Sequence, residues 1–254
     1  MSGIAVVLAA GEGKRMNSDL PKVLHPAAGE PLLAHVGRAA RESGVDEIIV
    51  VIGKGAARVR ERFAGVGWEF VEQPERLGTG DAVKRALPRF ARYEGDVLVL
   101  AGDAPLLKGA TLATLRERRA EASAAVSVLT AEIDDPKGYG RIVRGAGGEF
   151  LGIVEEKDAT EEQRRIREVN SSVYCFRGPD LAAALPRIGN DNVQQEYYLT
   201  DAIGILRGDG RTVIAVAAAA PEEILGVNDP AQLRLVDELL SRRRAERAPS
   251  GGRR

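Results

Sequence analysis

The sequence has little of what covalent catalysis and disulfide frameworks need. Its 254 residues include one Cys, two His and one Trp, and aromatic residues make up 4%. One Cys cannot close an intrachain disulfide, and one Cys with two His cannot build a thiolate or imidazole zinc cage. Any bound metal must rest on oxygen ligands. No apolar run approaches the roughly 18 residues that suggest a membrane span. The N-terminus enters an apolar segment without the basic lead of a secretory signal. The expected compartment is the reducing cytoplasm. An excess of one charge is missing too, since 36 Lys and Arg oppose 37 Asp and Glu. The balance is uneven along the chain: residues 242–254 hold six Arg and one Glu, leaving 30 basic against 36 acidic groups elsewhere. A body of that sign is a poor nucleic-acid surface. No repeat of 20–50 residues appears, and no hexapeptide ladder.

What is present is an ordinary globular composition, 44% apolar and 29% charged, long enough to bury a sizeable core. Ile4–Ala9, 47–52 and 96–101 are short continuous apolar runs, which suit strands buried on both faces. Between them, 31–43, 56–63 and 79–90 place apolar residues at helical spacing, with Pro88 expected to end or kink the third. A strand is expected near 68–72. This alternation predicts an α/β fold: an open, mostly parallel Rossmann-like sheet with helices on both faces. After residue 123 the rhythm changes. Strand-like segments at 125–133, 140–144, 150–155 and 172–176 predict an antiparallel insertion over about 125–177. Helices follow at 179–185 and 197–207, a strand at 212–217, and a last helix over 230–247 with Leu233, Val236, Leu239 and Leu240 inward. One domain over 1–247 is expected, and residues 248–254 read as a disordered tail.

In an open parallel sheet, ligands bind beyond the carboxyl ends of the strands, so the segments just after strands carry the functional information. The first is Leu8-Ala9-Ala10-Gly11-Glu12-Gly13-Lys14-Arg15, running on to Pro21-Lys22. Glycines after a buried strand let backbone N–H groups approach phosphate, with Arg15 and Lys22 supplying positive charge. The segment is neither the dinucleotide fingerprint nor the P-loop. The plain alternative is a tight turn with solvated basic residues. The second is Gly102-Asp103-Ala104-Pro105. A carboxylate at the end of a buried strand suits a hard divalent cation; alternatively Asp103 caps the helix that starts near 108–111. The third is Gln73-Pro74-Glu75-Arg76-Leu77-Gly78-Thr79-Gly80. Its Gln offers the donor and acceptor that a nucleobase edge requires, although Thr79 as a plain helix cap explains half of the pattern.

Together these segments resemble the sugar-nucleotide pyrophosphorylases, and most closely the uridylyltransferase half of bacterial bifunctional N-acetylglucosamine-1-phosphate uridyltransferases. The resemblance runs from about Ile4 to Glu238 through LAAGEGKRM, LPKVLH, EQPERLGTGDAV, GDAPL, DDPKGYGRIV, IVEEKDAT, REVN, QQEYYLTD and GVND, in the family's order. It implies that Leu8, Ala9, Ala10 and Gly11 hold uridine with their backbone, and that Gln73, Gly78 and Thr79 read the uracil. It implies Arg15 and Lys22 on the phosphates, Asp103 and Asn228 on Mg²⁺, and Gly140, Glu155 and Asn170 on the sugar and the N-acetyl group of N-acetylglucosamine 1-phosphate. The implied partners are UTP and that sugar phosphate, with no nucleic acid and no membrane; the oligomeric state stays open.

The implied chemistry suits this composition. A sugar phosphate, already ionised at neutral pH, attacks the α-phosphorus of UTP and needs no His or Cys base. Positioning and charge neutralisation dominate. Two departures stand out. The family carries a bulky Tyr where this chain has Ala101, which keeps another sugar 1-phosphate or another base open. The family's acetylating β-helix has no counterpart in this sequence. Non-catalytic relatives reuse the fold in translation exchange factors but commonly lose the catalytic basic and acidic residues, whereas Arg15, Lys22, Asp103 and Asn228 are all present here. Elsewhere, Cys175 reads as a core thiol, His25 and His35 as packing or surface residues, and Glu156-Lys157-Asp158 with Glu161-Glu162 as a solvated charged segment. The terminal Arg cluster suits a helix C-terminus.

Overall fold

The computed structural model describes residues 2–247, so the tail expected to be disordered lies outside the described residues. Strand β1 (Gly3–Ala9) is followed by a small hairpin, β2 (Pro26–Ala27) and β3 (Glu30–Pro31), and by helix α1 (Leu32–Glu42). Then come β4 (Glu47–Ile52), α2 (Ala56–Arg62), β5 (Glu69–Glu72), α3 (Thr79–Phe90), β6 (Asp96–Ala101) and α4 (Gly109–Glu121). The second half runs β7 (Val126–Glu132), β8 (Arg141–Arg144), β9 (Phe150–Val154), the one-turn α5 (Glu161–Arg164) and β10 (Glu168–Arg177). It ends with α6 (Gly178–Ala184), α7 (Leu199–Gly208), β11 (Val213–Ala217) and α8 (Pro230–Arg247).

The main sheet has the order β11-β7-β10-β6-β1-β4-β5, with the β8–β9 hairpin paired to β10. β1 pairs parallel with β4 and β6, β4 with β5, and β11 with β7. β10 is antiparallel to both of its neighbours, β6 and β7. The apolar runs behave as expected of strands covered on both faces. Ala5, Val7, Ile48, Val50, Leu98 and Leu100 pack on one side with α1 and α4, while Ile4, Val6, Ile49, Val51, Val97 and Val99 pack on the other with α3, α6 and α7. A third cluster of Met16, Ala27, Leu32, Leu106, Val227 and Val236 ties the loop after β1 to α8.

Two local expectations change. α3 does not end at Pro88 but runs on to Phe90; the proline forgoes one N–H bond to the turn before it, and the two residues after it stay helical. Of the charged residues expected to be solvated, Lys157, Asp158, Glu161 and Glu162 are exposed, and Glu156 departs. Glu156 forms an ion pair at 2.7 Å with Arg141, which is 1% exposed, and Thr160 with Gln163 forms a reciprocal cap on α5. No helix among the described residues is long and apolar enough to cross a membrane.

Candidate active site

β1 leads to β4 and β5 on one side and has β6 on the other, so the strand order reverses between β1 and β6. Ligand crevices form at such switch points. Here the ends of these strands deliver Leu8-Ala9-Ala10-Gly11 and Ala101-Gly102-Asp103 side by side. Leu8 O accepts from Gly102 N–H at 2.9 Å. Gly13, with φ +62, lies over the Lys22 stem so closely that a Cβ there would sit 2.8 Å from Lys22 Cβ.

Three contiguous lobes open at this edge. The first, about 260 Å³, is lined by Leu8, Ala9, Ala10, Gly11, Lys22, Gln73, Gly78, Thr79, Ala101 and Asp103. All seven residues expected on the nucleotide share it. Gln73 is buried, and its amide nitrogen donates to Gly78 O at 3.0 Å and to the Asp81 carboxylate at 2.9 Å. Its carbonyl oxygen is the group left to meet a ligand. Thr79 does not cap α3; its hydroxyl accepts from Leu199 N–H at 3.0 Å.

The second lobe, about 270 Å³, brings Arg15, Asp103, Gly140, Glu155, Asn170 and Asn228 together. Asp103 does not cap α4, which has no side-chain cap. Lys22 Nζ instead donates to the Asp103 carboxylate and, at 3.1 Å, to Asn228 Oδ1. Val227 N–H donates to Asp103 O at 2.9 Å and Gln232 holds Asn228 N–H at 2.7 Å, fixing the 226–228 loop against β6. Arg15 is exposed and has no hydrogen bond or ion pair among the described residues. A methyl on Gly140 would lie 3.3 Å from Glu155 Oε2 and 3.5 Å from Asn170 Cβ, so the three expected sugar residues are neighbours.

The third lobe, about 280 Å³, continues from Glu155 past Tyr174 to Glu196 and Tyr198. Burial holds the Glu155 carboxyl above the usual carboxylate range against the hydrogen bond it accepts from Thr200 Oγ1 at 3.0 Å; Asp158 and Asp201 push it the same way as burial. Burial likewise raises Asp201, with Asp158 adding to it. It raises the Tyr139 phenol as well, where Gly226 N–H opposes the shift and Asp103 reinforces it.

Residues 5–173 match the MobA-like NTP transferase domain. The chain belongs to that family. It is 47% identical over 239 residues to bifunctional protein GlmU of Gloeobacter violaceus, covering 94% of this chain and 52% of that protein. It is 48% identical over 239 residues to the Clostridium beijerinckii protein of the same name and 49% over 242 residues to that of Heliobacterium modesticaldum, again covering 94% of this chain and 52% of each. The chain thus spans about half the length of these curated relatives.

One element of the crevice carries no assigned role in the sequence. The 194–201 segment clamps both sides. Tyr197 N–H donates to Leu77 O and Tyr197 O accepts from Gly80 N–H, each at 2.7 Å, while Thr200 holds Glu155. The segment's second half opens the helix expected from 197 and observed from Leu199, but that period gives 194–198 no role at a crevice, and only its place in the QQEYYLTD match marked it.

Proposed function

We propose that the protein is a Mg²⁺-dependent uridylyltransferase that joins UTP and N-acetylglucosamine 1-phosphate to give UDP-N-acetylglucosamine and pyrophosphate. The observation that carries this reading is the single crevice in which a uracil-suited amide, a glycine loop, Lys22, Asp103 and a sugar-suited carboxylate adjoin. The bifunctional relatives of the same family support it.

The chain's own groups account for the steps. Gln73, with its amide hydrogens engaged, presents a carbonyl oxygen that accepts from uracil N3–H and finds no proton on N3 of cytosine. Backbone N–H groups of the Gly11–Gly13 loop and the Arg15 and Lys22 cations receive the phosphates. Glu155, Asn170 and the Gly140 backbone orient the sugar. A phosphate oxygen of the sugar substrate then attacks the α-phosphorus. The bond to the bridging oxygen of pyrophosphate breaks, and Arg15 and Lys22 offset the charge that the leaving group gains.

Asp103 and Asn228 fit a hard cation. Their oxygens already converge on one positive group, the Lys22 ammonium. Among the described residues no cluster of three or more His, Cys, Asp or Glu could hold a metal ion. One carboxylate and one amide suit Mg²⁺, which keeps waters and phosphate oxygens as its other ligands. Bound there, Mg²⁺ neutralises phosphate charge. The reaction belongs in the cytoplasm and needs neither nucleic acid nor membrane.

A pyrophosphate-release assay across nucleoside triphosphates and sugar 1-phosphates, with and without chelator, tests the reading. UTP with N-acetylglucosamine 1-phosphate is expected to be best, and chelator to abolish release. Greater turnover with dTTP and glucose 1-phosphate would overturn the substrate assignment. Ala101, which lines both the nucleotide and the phosphate lobe, makes the sugar panel the informative arm.

A further inference from the structure

Of the described residues, one lines all three lobes of the crevice: Ser172. It sits in β10 where the pairing with β7 is interrupted. The register passes from Asn170 opposite Thr130 to Tyr174 opposite Val128, so two extra residues bulge out of the ladder. The neighbours hold this bulge in place. Ser171 Oγ donates to Leu129 O at 2.7 Å and accepts from Val173 N–H at 3.1 Å, and Asn170 Oδ1 accepts from Ser172 N–H at 3.2 Å. Ser171 and Val173 are buried while Ser172 is exposed. The bulge therefore aims one side chain, and only that one, at the point where the lobes meet.

Ser172 also adopts a conformation that disfavours a side chain. Its φ is +59, in the left-handed region, where glycine carries no steric penalty. Such outliers persist where the surroundings over-determine them, and they concentrate at ligand sites. A glycine would meet the backbone requirement, so what Ser172 adds is a hydroxyl. The junction already holds carboxylates at Asp103 and Glu155 and a cation at Lys22. A neutral O–H can donate to a phosphate oxygen there without altering the charge balance. Its hydroxyl is also within reach of the buried Tyr174 phenol, to which Asn170 Nδ2 donates at 2.7 Å. This connects it to a residue on the sugar side.

Building on the uridylyltransferase reading, we propose that Ser172 contacts the sugar 1-phosphate, its hydroxyl holding the phosphate at the junction so that it faces the nucleotide. This makes Ser172 a substrate-positioning residue of the reaction.

The test uses Ser172→Ala and Ser172→Gly, with initial rates over a range of sugar 1-phosphate at saturating UTP, calorimetric binding of the sugar 1-phosphate with UTP absent, and thermal unfolding. Losing a hydrogen bond to a charged group is expected to lower kcat/KM for the sugar 1-phosphate about tenfold or more in both variants, with KM for UTP within about twofold of the parent. Ser172→Gly is expected to unfold at the same or a higher temperature, because the strained side chain is gone, which separates the hydroxyl's role from folding. Near-parental kcat/KM in Ser172→Ala would overturn the proposal. If the parent releases no pyrophosphate with any substrate pair, the reaction reading fails by itself. Calorimetry then decides about Ser172: weaker binding in both variants supports the contact, and equal binding or none in the parent refutes it.

Discussion

Lys22 and Asp103, 81 positions apart, form an ion pair whose ammonium also donates to Asn228 at 3.1 Å. Two oxygens bonded to one nitrogen lie within about 6 Å of each other, two hydrogen-bond lengths. A divalent cation held by those oxygens and the ammonium cannot share the position, because like charges this close repel strongly in a half-buried site. Lys22→Met is therefore expected to bind Mn²⁺ more tightly than the parent when no substrate is present. Its turnover is expected to fall by about 10²–10³, as for removal of one preorganised charge. Weaker Mn²⁺ binding in a calorimetric or electron-spin titration would show that Lys22 supports the cation rather than standing in for it.

Asp103→Asn keeps the size of the side chain and removes its charge. The variant should fold with little change in melting temperature, bind UTP measurably, and lose nearly all turnover, with partial recovery at high Mg²⁺. Full activity at ordinary Mg²⁺ would remove Asp103 from the site.

Glu155 makes a pH prediction with a definite sign. Burial raises its carboxyl above the unfolded value, so the folded state binds the proton more tightly than the unfolded chain. The stability this contributes is fully present below the ordinary carboxylate range and is lost as pH rises toward the folded value. Glu155→Gln keeps an oxygen to accept from Thr200 and cannot ionise. It should melt above the parent at neutral pH, with the gap closing near pH 4. A constant gap across pH 4–8 would show that ionisation of Glu155 carries no stability penalty.

Gly78 has φ +105, and a Cβ there would sit 2.5 Å from Tyr197 O. Gly78→Ala must shift a backbone carbonyl that also accepts from Gly80, and is expected to cost about 2–3 kcal/mol. Chemical denaturation would read this directly. A cost below about 0.5 kcal/mol would mean that the 194–198 segment yields freely.

Asp96 is 2% exposed and pairs with Arg116 at 3.1 Å and Arg119 at 2.7 Å. Removing one partner of a buried ionic cluster leaves charge uncompensated, so Asp96→Ala should cost about 3–5 kcal/mol, measured by urea unfolding. It should leave substrate affinity in any surviving folded protein unchanged, since Asp96 lies at the opposite end of β6 from Asp103.

The alternating strand and helix periods along 4–120 were legible in the sequence, because burial on one face or two writes a period into the residue order. So were the segments that end at strand termini and shape the crevice, since ligands of an open parallel sheet bind just beyond those termini, although each segment taken alone also fitted a turn or a helix cap. Which of those side chains meet was a matter for tertiary structure. Lys22 bonds Asn228 across 206 positions and Thr79 meets Leu199 across 120; no local period encodes such distances. Only the fold separated Asp103 as an ion-pair partner from Asp103 as a helix cap, because the two roles differ in where the chain turns rather than in residue type. Ser172 was invisible for the same reason. A serine in a strand looks ordinary until the pairing on either side forces its backbone into the left-handed region and leaves its hydroxyl where three lobes join.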